Sequence, residues 1–91
     1  MKSKRERLEV IRDILKSISD SPRNVKPTHI MYKANLSSKM LSEYLSELMQ
    51  GEFIEELEKD SRKEYRLTQK GFDYLNRYTV IQDFLDVFGL N

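Results

Sequence analysis

Four serines and a lysine lie at helical spacing in "SSKMLSEYLS", residues 37–46. Projected at about 100° per residue, the polar side chains of this segment fall on one face of a helix and its leucines fall on the other. Small side chains let a helix axis approach a partner closely, and a hydroxyl can either donate or accept a hydrogen bond. A lysine on the same face reaches a guanine edge or a phosphate. If the partner is double-stranded DNA, the residues of this segment that would contact it are Ser37, Ser38, Lys39, Ser42 and Ser46.

Two glutamates count against contact of this face with phosphates, because Glu43 lies on it and Glu47 lies beside it. A carboxylate can accept a hydrogen bond from a cytosine amine, but phosphates repel it. The net charge is −5 in residues 34–58 and +5 in residues 1–33. An alternative interpretation is therefore a protein-interaction module that uses the acidic surface of residues 43–58 against a basic partner.

Basic residues outside this segment have the charge needed to contact a sugar-phosphate backbone. Some flank Pro27, where a helix is expected to begin, and others lie in and after a polar turn near residue 60. A basic N-terminus containing Lys2, Lys4, Arg5 and Arg7 could add a mobile electrostatic arm. The predicted backbone contacts are Lys26, His29, Lys33, Arg62, Lys63 and Arg66.

The composition argues against several other classes of protein. The 91 residues include no cysteine and one histidine, which excludes disulfides, thiolate metal sites and multi-histidine sites. We find no glycine-rich phosphate loop and no nucleophile beside a base, so we expect no enzyme, no cofactor and no small-molecule ligand. The N-terminus lacks the apolar region of a signal peptide, and no apolar run is long enough to span a membrane. We therefore expect a cytoplasmic, nucleoid-associated protein.

Apolar periodicity predicts three helices in the first half of the chain. The spacing of apolar residues predicts a helix over residues 5–19, with Val10 at the margin of its apolar face. That face consists of Leu8, Ile11, Ile14, Leu15 and Ile18. A short second helix is expected over residues 28–33. Ser37 is a suitable N-cap for a third helix that runs to about residue 50.

After Gly51 the period changes from helix to strand. "FIEEL" and "EYRLT" predict a β-hairpin joined by the polar turn "EKDSR". Thr68 then caps a fourth helix that continues to about Phe88. The predicted fold class is mainly α with a small β-hairpin.

The segment "KPTHIMYKANLSSKMLSEYLSELMQGEFIEE", together with "YRLTQKGFDYL", resembles the small archaeal winged helix-turn-helix regulators. The resemblance covers about residues 5–80. It implies a homodimeric transcriptional regulator or chromatin-associated protein that inserts the helix over 38–50 in the major groove and places a wing over 58–64 on the backbone. Residues 1–70 would form the DNA-binding part and residues 68–91 the C-terminal dimerisation helix of the same single domain.

The fourth helix contains more apolar residues than a helix that only closes a small domain requires. Phe72 and Leu75 are predicted to pack on the core, while a second stripe follows the coiled-coil period. The alternative for this second stripe is that it folds back onto the first helix. The residues predicted to form a dimer interface are Tyr74, Tyr78, Ile81, Phe84, Leu85 and Phe88.

Overall fold

The computed structural model describes residues 7–90, which form four helices and one antiparallel hairpin. The elements in chain order are α1 (Arg7–Ser19), α2 (Pro27–Ala34), α3 (Ser38–Gln50), β1 (Ile54–Lys59), β2 (Arg62–Leu67) and α4 (Gln69–Val87). The predicted mainly α fold class with a small hairpin is confirmed. Each helix in this part of the chain is too short or too polar to cross a membrane.

Helix α1 contributes the centre of the core. Ile14 and Leu15 are completely buried, and Val10 is 4% exposed. Val10 was expected at the margin of the apolar face, whereas Leu8, expected on that face, is 57% exposed. The buried stripe of α1 thus includes Val10 and omits Leu8, while Ile14, Leu15 and Ile18 are buried as predicted.

A tight turn joins α2 to α3. Asn35 ends α2 in the left-handed conformation, with φ of 56°, and its N–H donates to the carbonyl of Met31. Asparagine tolerates this conformation better than most residues. Leu36 inserts into the core immediately afterwards, and Ser37 begins the next helix as its N-cap. The turn therefore fixes the angle between the two helices and the starting point of α3.

The hairpin is longer, and its turn tighter, than the sequence predicted. Asp60 and Ser61 form a two-residue turn with positive φ values of 52° and 62°, the geometry of a type I′ turn that matches the twist of a hairpin. Lys59 and Arg62, both expected inside the five-residue turn, instead pair with each other at the ends of the strands.

A single antiparallel β-bridge, which the sequence did not predict, joins Val25 to β2. The N–H of Val25 donates to the carbonyl of Tyr65 at 3.0 Å, and the N–H of Tyr65 donates to the carbonyl of Val25 at 2.8 Å. Both side chains are buried. This bridge ties the chain just before α2 to the hairpin.

Helix α4 extends beyond the compact part of the molecule. Thr68 caps it by accepting a hydrogen bond from the N–H of Gly71, as the sequence predicted. Leu75 packs against the core, but Phe72, also expected there, is 45% exposed. The described chain measures 48 × 29 × 23 Å, and a helix of 19 residues is about 28 Å long. Several apolar side chains of its C-terminal half are exposed, among them Val80, Phe84 and Val87.

Candidate nucleic-acid interface

The outer face of α3 carries short polar side chains and one cation. The hydroxyl oxygen of Ser37 accepts a hydrogen bond from the N–H of Met40 at 3.1 Å, so this oxygen stabilises the start of the helix. Leu41, Leu45 and Leu48 bury the opposite face. The remaining predicted residues of this segment are all exposed: Ser38, Lys39, Ser42 and Ser46.

Arg7 neutralises one of the two glutamates that complicated this face. Its Nη2 donates to Oε2 of Glu47 at 2.7 Å, and its guanidinium lies 5.4 Å from the centre of the Tyr44 ring. The hydrogen bond and the charge of Glu47 raise the pKa of Arg7 above its ordinary value. Arg7 was predicted to belong to a mobile arm, and this is corrected: it contacts α3. The rest of the predicted arm, Lys2, Lys4 and Arg5, lies outside the described residues.

Two glutamates of β1 also have partners in the hairpin. Glu55 accepts a hydrogen bond from Nε of Arg66 at 2.7 Å. Glu56 accepts one from the hydroxyl of Tyr65 at 2.9 Å and lies 3.8 Å from Nζ of Lys63. Burial, with the hydrogen bond to Glu56 and its charge, raises the pKa of Tyr65 to about 12. Two of the predicted DNA contacts, Arg66 and Lys63, are therefore already engaged with acidic residues.

The register of the hairpin separates its cations onto two faces. Lys59 pairs with Arg62, and Glu58 pairs with Lys63. Because successive side chains of a strand point to opposite faces, Arg62 and Lys63 lie on opposite sides of the hairpin. An open recess lies beside the face of the hairpin that carries Arg62, and it reaches the start of α2. It is lined by Lys26, Lys59, Asp60, Arg62 and Glu64. The structure thus brings Lys26 and Arg62 together and leaves Lys63 on the other face.

The remaining predicted contacts on α2 lie elsewhere. His29 is half-buried and Lys33 is exposed. Lys33 lines a separate recess beside α1, in which Arg12 pairs with Asp13 and Lys16 pairs with Asp20 just after the helix. This recess is lined by Arg12, Asp13, Lys16, Ser17, Asp20 and Lys33.

One side of α4 packs on its own chain. The Tyr74 ring meets Phe53 edge to face at 5.9 Å, and its hydroxyl donates to the carbonyl of Leu8 at 3.3 Å. Burial is the main cause of a raised pKa for Tyr74. Tyr78 stacks beside it at 6.3 Å and, like Leu85, is half-buried. At Tyr74 the predicted stripe therefore turns toward the rest of the molecule.

A different side of α4 is apolar and exposed. Phe84 is 57% exposed and Phe88 63% exposed, with their ring centres 4.8 Å apart. We call this surface the α4 apolar stripe, and it consists of Val80, Ile81, Phe84, Val87 and Phe88. It includes three of the six predicted interface residues and adds two valines that the prediction missed.

A family model described as winged helix-turn-helix matches residues 4–86. The chain belongs to this family. In its terms, α2 and α3 are the helix-turn-helix and the β1–β2 hairpin is the wing. The predicted resemblance to small winged helix-turn-helix regulators is confirmed.

Solved structures share the winged helix-turn-helix fold at low sequence identity. Sso10a-2, a DNA-binding protein from Sulfolobus solfataricus, is 24% identical with a TM-score of 0.75, over 93% of this chain and 83% of that one. A MepR variant from Staphylococcus aureus bound to an oligodeoxyribonucleotide is 17% identical with a TM-score of 0.76, over 87% of this chain and 60% of that one. PcaV, a transcriptional regulator from Streptomyces coelicolor, is 20% identical with a TM-score of 0.75, over 86% of this chain and 57% of that one. No curated protein matches the chain.

Sequence reasoning missed two valines of the α4 apolar stripe and one contact between distant residues. Val80 and Val87 lie four residues before and three residues after Phe84, so helical spacing could have identified them. The contact between Arg7 and Glu47 has no comparable signal, because 40 residues separate the partners. Within residues 7–90, no group of histidine and acidic side chains is arranged to hold a metal ion.

Proposed function

We propose that this winged helix-turn-helix protein binds double-stranded DNA and has no catalytic role. Helix α3 enters the major groove and the wing contacts the backbone, as a transcriptional regulator or a chromatin-associated protein does. The observation that carries the proposal is the outer face of α3, where exposed serines surround Lys39. Lys39 forms no ion pair with the other residues between 7 and 90, so its charge is available to a phosphate or a guanine edge.

Two of the structural neighbours support this proposal through their described ligands. Sso10a-2 is described as a DNA-binding protein, and a MepR variant has been solved with an oligodeoxyribonucleotide. Both share the arrangement of helix-turn-helix and wing with this chain. A DNA ligand would also place the protein in the cytoplasm, on the nucleoid.

The same proposal includes a homodimer formed through α4. The α4 apolar stripe exposes two phenylalanines and three aliphatic residues to solvent, and burying such a stripe against a second copy removes apolar surface from water. Paired copies would present two α3 helices to one duplex. Half-sites spaced by about 34–36 Å, one turn of DNA, are the usual geometry for such dimers.

The alternative, a protein-interaction module with an acidic surface at residues 43–58, has less support. Three of the six glutamates between residues 34 and 58 have intramolecular partners: Glu47, Glu55 and Glu56. Their charges are largely compensated within the chain. A basic partner would therefore meet a weaker acidic surface than the sequence predicted.

The test measures affinity for a duplex selected from a random-sequence pool and for an unselected mixed duplex, at several salt concentrations. Lys39→Ala should reduce the preference for the selected duplex, because a base contact is worth roughly 1–3 kcal/mol of discrimination. Lys16→Ala is the matched control, since Lys16 is an exposed cation on α1 that pairs with Asp20. It should leave the preference unchanged.

Two results would contradict parts of this proposal. If the wild type binds no duplex even at low salt, DNA binding itself is wrong. If Lys39→Ala weakens binding to both duplexes equally, DNA binding stands, but Lys39 contacts the backbone and does not read base sequence. A wild type that binds both duplexes equally would be architectural.

A further inference from the structure

Arg7 connects the first residue of α1 to the flank of α3. Its guanidinium makes two contacts there: the 2.7 Å hydrogen bond to Glu47 and the position 5.4 Å from the centre of the Tyr44 ring. Tyr44 and Glu47 are three residues apart and therefore neighbours on the helix surface. The Arg7 side chain is consequently held in one place by two different interactions.

Fold stability does not account for this arrangement. The Arg7 and Glu47 side chains are 58% and 52% exposed, and exposed ion pairs of this kind contribute at most about 1 kcal/mol to stability. The pair also changes the charge that α3 presents to a polyanionic ligand. Glu43 and Glu47 are four residues apart on α3, so without Arg7 two uncompensated carboxylates would lie together on that flank.

We propose that Arg7 is a positioning residue for DNA binding, which holds the Glu47 carboxylate against α1 and cancels its charge so that α3 can approach phosphates. This inference rests on the proposed function. Arg7 acts through Glu47 and does not itself contact DNA. The ion pair thereby cancels one negative charge on α3.

The experiment compares Arg7→Gln, Glu47→Gln and the double variant in the full chain, with a labelled mixed-sequence duplex at several salt concentrations. Arg7→Gln should weaken binding on the order of five-fold at low salt, because it leaves an uncompensated carboxylate near the phosphates. Glu47→Gln, which has no carboxylate to neutralise, should bind at least as tightly as the wild type. The double variant should recover nearly wild-type affinity. Arg12→Gln is the matched control on the same helix, since Arg12 pairs with Asp13, and it should change nothing.

The double variant also separates this role from direct contact. If Arg7 bound a phosphate itself, both Arg7→Gln and the double variant would lose affinity, and the salt slope would fall by about 0.9 in each. That result would overturn the positioning role. Melting temperatures should be nearly equal for all variants. A lowered melting temperature in Arg7→Gln that Glu47→Gln does not restore would show a structural role instead.

The outcome for the wild type distinguishes this inference from the proposed function. Binding by the wild type with no loss in Arg7→Gln refutes the positioning role alone. Absence of binding by the wild type refutes the proposed function, and the positioning role with it.

Discussion

At the scale of single residues, the "LTQKG" sequence at 67–71 joins the end of α3 to the start of α4. The hydroxyl of Thr68 donates to the carbonyl of Glu52 at 2.6 Å, and Nζ of Lys70 donates to the carbonyl of Gly51 at 2.8 Å. Lys70 also lies 4.5 Å from the centre of the Phe53 ring. A motif that carried the resemblance to DNA-binding proteins is therefore used for packing in this chain.

Gly71 completes this junction by allowing a close approach of two backbones. A Cβ at this position would lie 2.3 Å from the carbonyl oxygen of Phe53, which also accepts a hydrogen bond from the N–H of Thr68. The oxygen is held by that hydrogen bond and cannot easily move. We expect Gly71→Ala to lower the free energy of unfolding by about 1–3 kcal/mol, the cost of overpacking. Urea denaturation followed by circular dichroism measures this change.

Gly51→Ala is the matched control for that substitution. A Cβ there would meet the Phe53 ring at 2.9 Å, and a side chain can shift where a backbone carbonyl cannot. Its φ of −79° suits any residue. Gly51→Ala should therefore cost clearly less than Gly71→Ala, and equal costs would contradict the role given to the Phe53 carbonyl.

At the scale of elements, the wing has two faces with different charges. Arg62 shares its face with Lys59 and lines the recess that reaches Lys26. Lys63 is on the opposite face, near the carboxylate of Glu56. The sequence grouped Arg62 and Lys63 as one basic tip, because strand alternation near a turn depends on where the turn begins.

The two neighbouring cations allow a matched test of which face of the wing approaches DNA. We expect Arg62→Ala to weaken binding to specific and mixed duplexes equally and to lower the salt slope by about 0.9, the value for one lost phosphate contact. Lys63→Ala should have a smaller effect, because Glu56 already compensates its charge. The measurement is fluorescence anisotropy across a salt series. A larger loss for Lys63→Ala would assign the DNA contact to the opposite face.

At the scale of the whole molecule, the elongated shape follows from α4. Tyr74 and Leu75 attach its first half to the core, whereas the α4 apolar stripe is exposed along its second half. A helix with one packed side and one exposed apolar side is a suitable element for joining two copies.

The exposed rings of Phe84 and Phe88 allow a test of the predicted homodimer. Phe84→Asp with Phe88→Asp should produce monomers, because paired copies would have to bury charges in an apolar interface. Leu85 is a poorer choice than Phe84, since it is half-buried. Sedimentation equilibrium over a range of concentrations measures the change. Thr79→Asp, an exposed position outside the stripe, is the control and should leave the assembly unchanged. A wild type that is monomeric at every concentration would contradict the homodimer.

Much of the fold could be predicted from sequence because its signals are local. The caps at Ser37 and Thr68 act on N–H groups three residues away, and helical periodicity depends on neighbours three or four positions apart. These interactions form within one helical turn, so the residue types alone identify them. The serine-lined face of α3 was found in the same way.

Contacts between distant segments were decided only by the tertiary structure. Arg7 meets Glu47 across 40 positions, and Val25 joins Tyr65 across the same separation. On α4 the sequence offers two apolar sides, and local periodicity assigned Phe72 and Leu75 to the core and Tyr74 to the interface stripe. Phe53 and the carbonyl of Leu8 bind Tyr74 and so select the packed side. The sequence determined that α4 is a helix with apolar sides, but packing against distant residues determined which side remains exposed.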